Sequence, residues 1–122
     1  MGNKGAAGVA VWDMIDWDRV RELRAEIGAD DFGEVAAMFL EEADEAVARL
    51  TPSQSAKAME ADLHFLKGAA LNLGFVALSG LCQEGERRAT TGDTSVDLDA
   101  VRHTYQASRA AFESGLDQAF AA

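Results

Sequence analysis

From Asp16 onward, apolar residues recur three and four apart in five separate stretches, and nothing in the chain alternates like a strand. The first stretch sets Trp17, Val20, Leu23 and Ile27 on one face, with Asp16 as its N-cap and Gly28 as its stop. A second helix from about Asp31 carries Phe32, Val35, Ala36, Phe39, Leu40, Ala43, Val47 and Leu50. Thr51-Pro52-Ser53-Gln54 then reads as a restart, with Thr as N-cap, Pro at the first helical position and Gln as the partner at the third. The third helix runs to Gly74 with Met59, Leu63, Leu66, Ala70 and Leu73 facing the core. A tight turn leads to a fourth helix with Leu78, Leu81, Cys82 and Ala89, in which Gly80 and Gly85 read as points of close helix packing, with a bend as the alternative. After a loop from Thr90 to Ser95, the last helix repeats Leu98, Val101, Tyr105, Ser108, Phe112, Leu116 and Ala119 in near-heptad order.

Four long helices with short connections predict an all-α fold, an antiparallel up-down four-helix bundle with a short additional N-terminal helix. Residues 1–11, with Gly2, Gly5 and Gly8, read as a flexible tail, and 12–122 as one domain. Trp12 and Ile15 are expected to pack over one end of the bundle.

The third helix has a second stripe. His64, Lys67, Gly68 and Leu71 are surface neighbours on the side away from the core face. A glycine inside a helix is about 1 kcal/mol worse than alanine, so its presence beside an outward imidazole and a cation suggests that the missing side chain matters. A lone helical histidine is usually a plain surface residue. His103, in the last helix, has no such company and reads as one.

The run His64, Lys67, Gly68, closed by Asn72-Leu73-Gly74 and followed by Leu78, Leu81 and Cys82, resembles the signature of histidine-containing phosphotransfer (HPt) domains, the intermediate carriers of multistep phosphorelays. The similarity is strongest from about Met59 to Arg88. The resemblance implies that His64, through Nε2, takes a phosphoryl group from a receiver-domain aspartate and passes it to another. Lys67 would then supply charge to the phosphoryl oxygens, and Gly68 would leave the backbone bare for the receiver's approach. Glu86 stands where related domains carry a Glu or Gln that hydrogen-bonds the phosphorylatable ring. If the third and fourth helices pack as an antiparallel hairpin, it could take the Nδ1 proton of His64. The receiver-contact rim is expected to include Lys57, Ala61, Lys67, Gly68, Leu71 and Phe75, with part of the fourth helix. The implied partners are response-regulator receiver domains or a hybrid histidine kinase. The role implied is that of a stoichiometric carrier rather than an enzyme, with no cofactor of its own and Mg²⁺ confined to the receiver.

Composition narrows this picture. A chain of 122 residues, 48% apolar, suffices for one core. No apolar run is long enough to span a bilayer, and Met1 to Ala10 lacks the apolar centre of a signal peptide. With a lone Cys82 excluding an internal disulfide, a cytoplasmic location is expected. Two histidines and one cysteine far apart offer no metal-ligand spacing, and no nucleotide-binding motif is present. The formal charge of −10 argues against nucleic-acid and anionic-membrane partners. That charge is uneven: residues 1–50 carry 12 acids against 5 bases, whereas 51–88 carry 4 and 4. The histidine segment is thus electrically balanced, which suits docking to the carboxylate pocket of a receiver. Two other readings remain at this stage. One is an adaptor that binds receivers without accepting phosphate, in which His, Lys or Gly should be missing. The other is a helical dimerisation module, suggested by the near-heptad last helix. That helix has one apolar stripe, which its own bundle would consume, so a monomer is expected.

Overall fold

A computed structural model describes residues 14–120. Among these residues there are five helices and no strand: α1 (Trp17–Ile27), α2 (Ala29–Arg49), α3 (Ala56–Leu73), α4 (Val76–Thr90) and α5 (Leu98–Ala119). The expected tail and Trp12 lie outside the described residues.

The helix starts follow from local hydrogen bonding. Asp16 accepts from the N–H groups of Asp18 and Arg19 at the head of α1, and Asp97 accepts from Ala100 at the head of α5. Only Gly28 separates α1 from α2, so α2 begins at Ala29, before the expected Asp31. The restart at Thr51 is a correction. α3 begins at Ala56, with Ser55 Oγ accepting from Ala58 N–H, and residues 51–54 form a turn. Gln54 does reach back to the Thr51 N–H (3.1 Å), but it also donates to Asp62 (2.8 Å), which takes Arg49 as well (2.9 Å). The same side-chain pairing that can open a helix here closes the α2–α3 corner.

The core holds Val20 and Leu23 from α1, Phe32, Ala36, Leu40, Ala43 and Val47 from α2, and Met59, Leu63, Leu66, Ala70 and Leu73 from α3. Leu78, Cys82 and Ala89 of α4 and Leu98, Val101, Tyr105 and Phe112 of α5 complete it. Each large apolar side chain buried in this way stabilises the fold by about 1.5–3 kcal/mol before its ordering entropy is set against it. Ile15 is buried and bridges Phe75, as expected of a residue closing one end.

α3 and α4 are antiparallel, since Glu60 meets Thr90 and His64 meets Glu86. α2 and α5 also run in opposite directions, with Arg102 on the Leu50 carbonyl, Arg109 on Asp44, and Phe120 edge-on to Phe32. Gly85 sits at the α3–α4 contact as expected: a Cβ there would lie 3.0 Å from Leu63 and 2.9 Å from Val96. Gly80 does not. It is exposed with nothing within 4 Å of a would-be Cβ, so the expectation of close packing there is corrected.

Candidate functional site

α3 presents two faces because its residues advance about 100° apiece. Met59, Leu63, Leu66, Ala70 and Leu73 take the buried face, which leaves Lys57, Ala61, His64 and Leu71 exposed on the other. The His64 side chain is 68% exposed. Gly68, one turn on, has nothing within 4 Å of where a Cβ would stand, so the backbone is open beside the ring.

The α3–α4 hairpin brings Glu86 under this stripe. Glu86 Oε2 lies 2.7 Å from His64 Nδ1, and Oε1 lies 2.9 Å from Lys67 Nζ. The Glu86 side chain is mostly covered, 18% exposed. The Lys67 ammonium hydrogen-bonded to it, with His64 assisting against the opposing effect of burial, holds its pKa below the usual carboxylate value. An ionised carboxylate can only accept, so the proton between the two groups resides on Nδ1. In the neutral ring Nε2 then carries the free lone pair, on the side facing solvent. Lys67, expected to supply charge to the phosphoryl oxygens, is half-buried and tied to the same carboxylate as the ring.

The remaining rim residues divide. Lys57, Ala61 and Leu71 are exposed and Gly68 half-buried, all on the His64 face. Phe75 is a correction: it is 1% exposed, edge-on to Phe112 with ring centroids 5.5 Å apart, and its backbone bridges Ile15. It follows Gly74, whose left-handed φ of 76° turns the chain back under α1 and points the next side chain inward. Any Cβ on Gly74 would come within 2.6 Å of the Asp16 carbonyl, whose residue also donates its N–H to the Gly74 carbonyl at 2.7 Å.

Sequence reasoning missed Phe65 and Val76, which are 41% and 43% exposed on α3 and at the start of α4. Phe65 lies off the core stripe, and that was its available signal. It also missed a brace from α1: Arg19 donates to Asn72 Oδ1 (3.2 Å), and Asn72 Nδ2 donates to the Gly68 carbonyl (3.1 Å). Cys82 lies 0% exposed behind the site, and burial pushes its thiol up to about 12, so it is no nucleophile at neutral pH. No group of three or more His, Cys, Asp or Glu residues among the described residues could hold a metal ion.

The family profile for the Hpt domain matches residues 34–119, well over half of the chain. The chain belongs to the Hpt domain family. No curated protein and no solved structure matches it. Hpt domains are phosphocarriers rather than enzymes and act by histidine phosphotransfer in phosphorelays, where they meet receiver domains and histidine kinases. Within this Hpt domain, α1 lies outside the matched residues and α3 and α4, with the His64–Glu86–Lys67 cluster, lie inside them. None of the described helices is long and apolar enough to cross a membrane.

Proposed function

We propose that His64 is the phosphoryl acceptor and donor of this Hpt domain, working between receiver-domain aspartates. The observation that carries this reading is the outward ring, with Nδ1 occupied by Glu86 and Nε2 open beside the bare backbone of Gly68. The Nε2 lone pair attacks the phosphorus of an aspartyl phosphate, the P–O bond to the aspartate breaks, and the carboxylate leaves with its electron pair. The Nδ1 proton stays between the ring and Glu86, which offsets the positive charge that develops on the imidazole. Transfer to the next aspartate reverses these steps. Phosphoryl transfer asks for position and charge more than for acid–base work. Lys67 supplies charge by swinging from Glu86 toward the phosphoryl oxygens, which leaves Glu86 to His64 alone. Glu86 is therefore a positioning residue for both neighbours.

In this reading the domain is an antiparallel up-down four-helix bundle of α2 to α5 with α1 laid across one end. The domain needs no cofactor and no nucleotide; the divalent ion belongs to the receiver's pocket. The protein works as a cytoplasmic monomer, with the rim of Lys57, Ala61, Gly68 and Leu71 against the receiver. Incubation with a phosphorylated receiver tests the assignment. Label should enter an acid-labile, base-stable adduct, be abolished by His64→Gln and survive His103→Gln. Labelling that persists in His64→Gln overturns it.

A further inference from the structure

Four large apolar side chains are conspicuously exposed among the described residues, and two of them, Leu71 (55%) and Val76 (43%), face the same cleft. That cleft, of about 240 Å³, runs between α1 and the α3–α4 corner, with Leu71, Ala70 and Val76 as its apolar wall. Its rim carries Asp16, Asp18 and Glu22 against one cation, Arg19. Arg19 is already engaged by Glu22 (3.2 Å) and Glu26 (3.5 Å) and Asp18 by Arg21 (3.1 Å), so with Asp16 four carboxylates stand against two cations and the rim is net acidic, unlike the balanced histidine segment. The walls are fixed in advance by the Asp16–Gly74 backbone bond and the Arg19–Asn72 bond, which lowers the ordering cost of binding.

The cleft also lies within reach of a partner seated on His64. Leu71 is seven residues beyond His64, about 700° round the helix and roughly 10 Å along it, hence on the same face. A standard interface of about 800 Å² per partner has a radius of roughly 16 Å, so a receiver with its aspartate over His64 covers this cleft.

We propose that the cleft is the partner-selecting part of the docking surface, taking from the receiver an apolar side chain flanked by a basic residue. This rests on the receiver-docking reading above. The apolar wall supplies contact area and the acidic rim supplies charge complementarity, favouring receivers with a cation there and disfavouring those with a carboxylate. Because α1, which lies outside the residues that match the family, supplies most of the charged rim, the charge part of partner choice is set by a segment apart from the histidine helix.

The test follows single-turnover phosphoryl uptake from a purified phosphorylated receiver, chosen as one that labels the wild-type protein, and reads the limiting rate as kcat and the receiver concentration at half that rate as KM. Val76→Asp is placed at a helix start, where an acid is tolerated. It should raise KM about tenfold, on the scale of losing one buried valine contact, with kcat little changed. Glu22→Arg should raise KM by a smaller factor that shrinks as salt is added. Met38→Asp, an equally exposed apolar position on α2 outside the cleft, serves as the control and should leave KM unaltered. A KM for Val76→Asp within twofold of wild type, or an equal rise in Met38→Asp, overturns the cleft assignment while the carrier reading stands. If the wild type takes label at His64 from the small donor phosphoramidate but from no receiver, the docking reading fails, and the cleft with it.

Discussion

Asp44 and Glu86 are each clamped by two groups from another part of the chain. On the α2–α5 seam, Asp44 takes the Tyr105 hydroxyl and the Arg109 guanidinium. On the α3–α4 seam, Glu86 takes His64 Nδ1 and Lys67 Nζ. Both acids are held below their usual pKa, Asp44 against the pull of burial by Arg109 and Tyr105, and Glu86 chiefly by Lys67. The donors differ. Burial and the neighbouring carboxylate push Tyr105 upward, and Arg109 rises further through its bond to Asp44, so neither titrates near neutral pH. Tyr105 is 3% exposed and also donates to the Leu40 carbonyl, which leaves its ring nowhere to act. His64 has a second nitrogen, and it faces solvent beside a residue with no side chain. A clamped carboxylate by itself is a brace. In the function proposed above, it becomes part of a reactive site because one of its donors keeps an open far side.

The sharpest way to break this comparison is to close that open side. Gly68→Gln should cut transfer from a receiver by about a hundredfold by blocking close approach. The fold has room for the new side chain and gains helix propensity, so thermal melting should hold steady or rise. Normal transfer in this variant would mean that the missing side chain is incidental. The opposite signature is expected on the other seam. Tyr105→Phe should lower unfolding free energy by about 1 kcal/mol, since Asp44 keeps Arg109. Its transfer rate per folded molecule should match wild type, as denaturant melts and transfer assays on the same preparation would show.

Glu86 offers the smallest effects and the finest distinction. Glu86→Ala should slow transfer only severalfold, because receiver docking also orients the ring. Its pH dependence follows from its depressed pKa. The stabilisation it gives is fully present above its ordinary value of 4.5 and is lost as pH falls through the lower folded value. The stability gap between wild type and Glu86→Gln should therefore shrink as pH falls below 4.5. A gap that widens below that pH would contradict the sign of that shift.

The helices were legible because five apolar stripes at helical spacing leave few alternatives, and buried residues such as Leu63, Leu66 and Leu73 fall on the stripe that periodicity marks. The outward grouping of His64, Gly68 and Leu71 was legible for the same reason. What periodicity does not contain is contact between distant residues. That Lys67 shares the Glu86 carboxylate with His64 shows only once the α3–α4 register is in place. The Arg19–Asn72 bond joins residues 53 apart and has no local signature. Phe75 reads as rim because it follows the histidine helix, yet the Gly74 turn directs it into the core. Thr51 and Gln54 pair much as expected but in a turn, because Asp62 offers Gln54 a second partner.

The central claim is that Glu86 holds Nδ1 so that Nε2 of His64 carries the phosphoryl group. Heteronuclear NMR of protein labelled with ¹⁵N at histidine, before and after phosphorylation by a receiver, tests it directly. The prediction is a His64 ring protonated at Nδ1 beforehand, and a phosphorus coupling at its Nε2 afterwards. A phosphoryl group on Nδ1, or on any residue other than His64, would contradict the account.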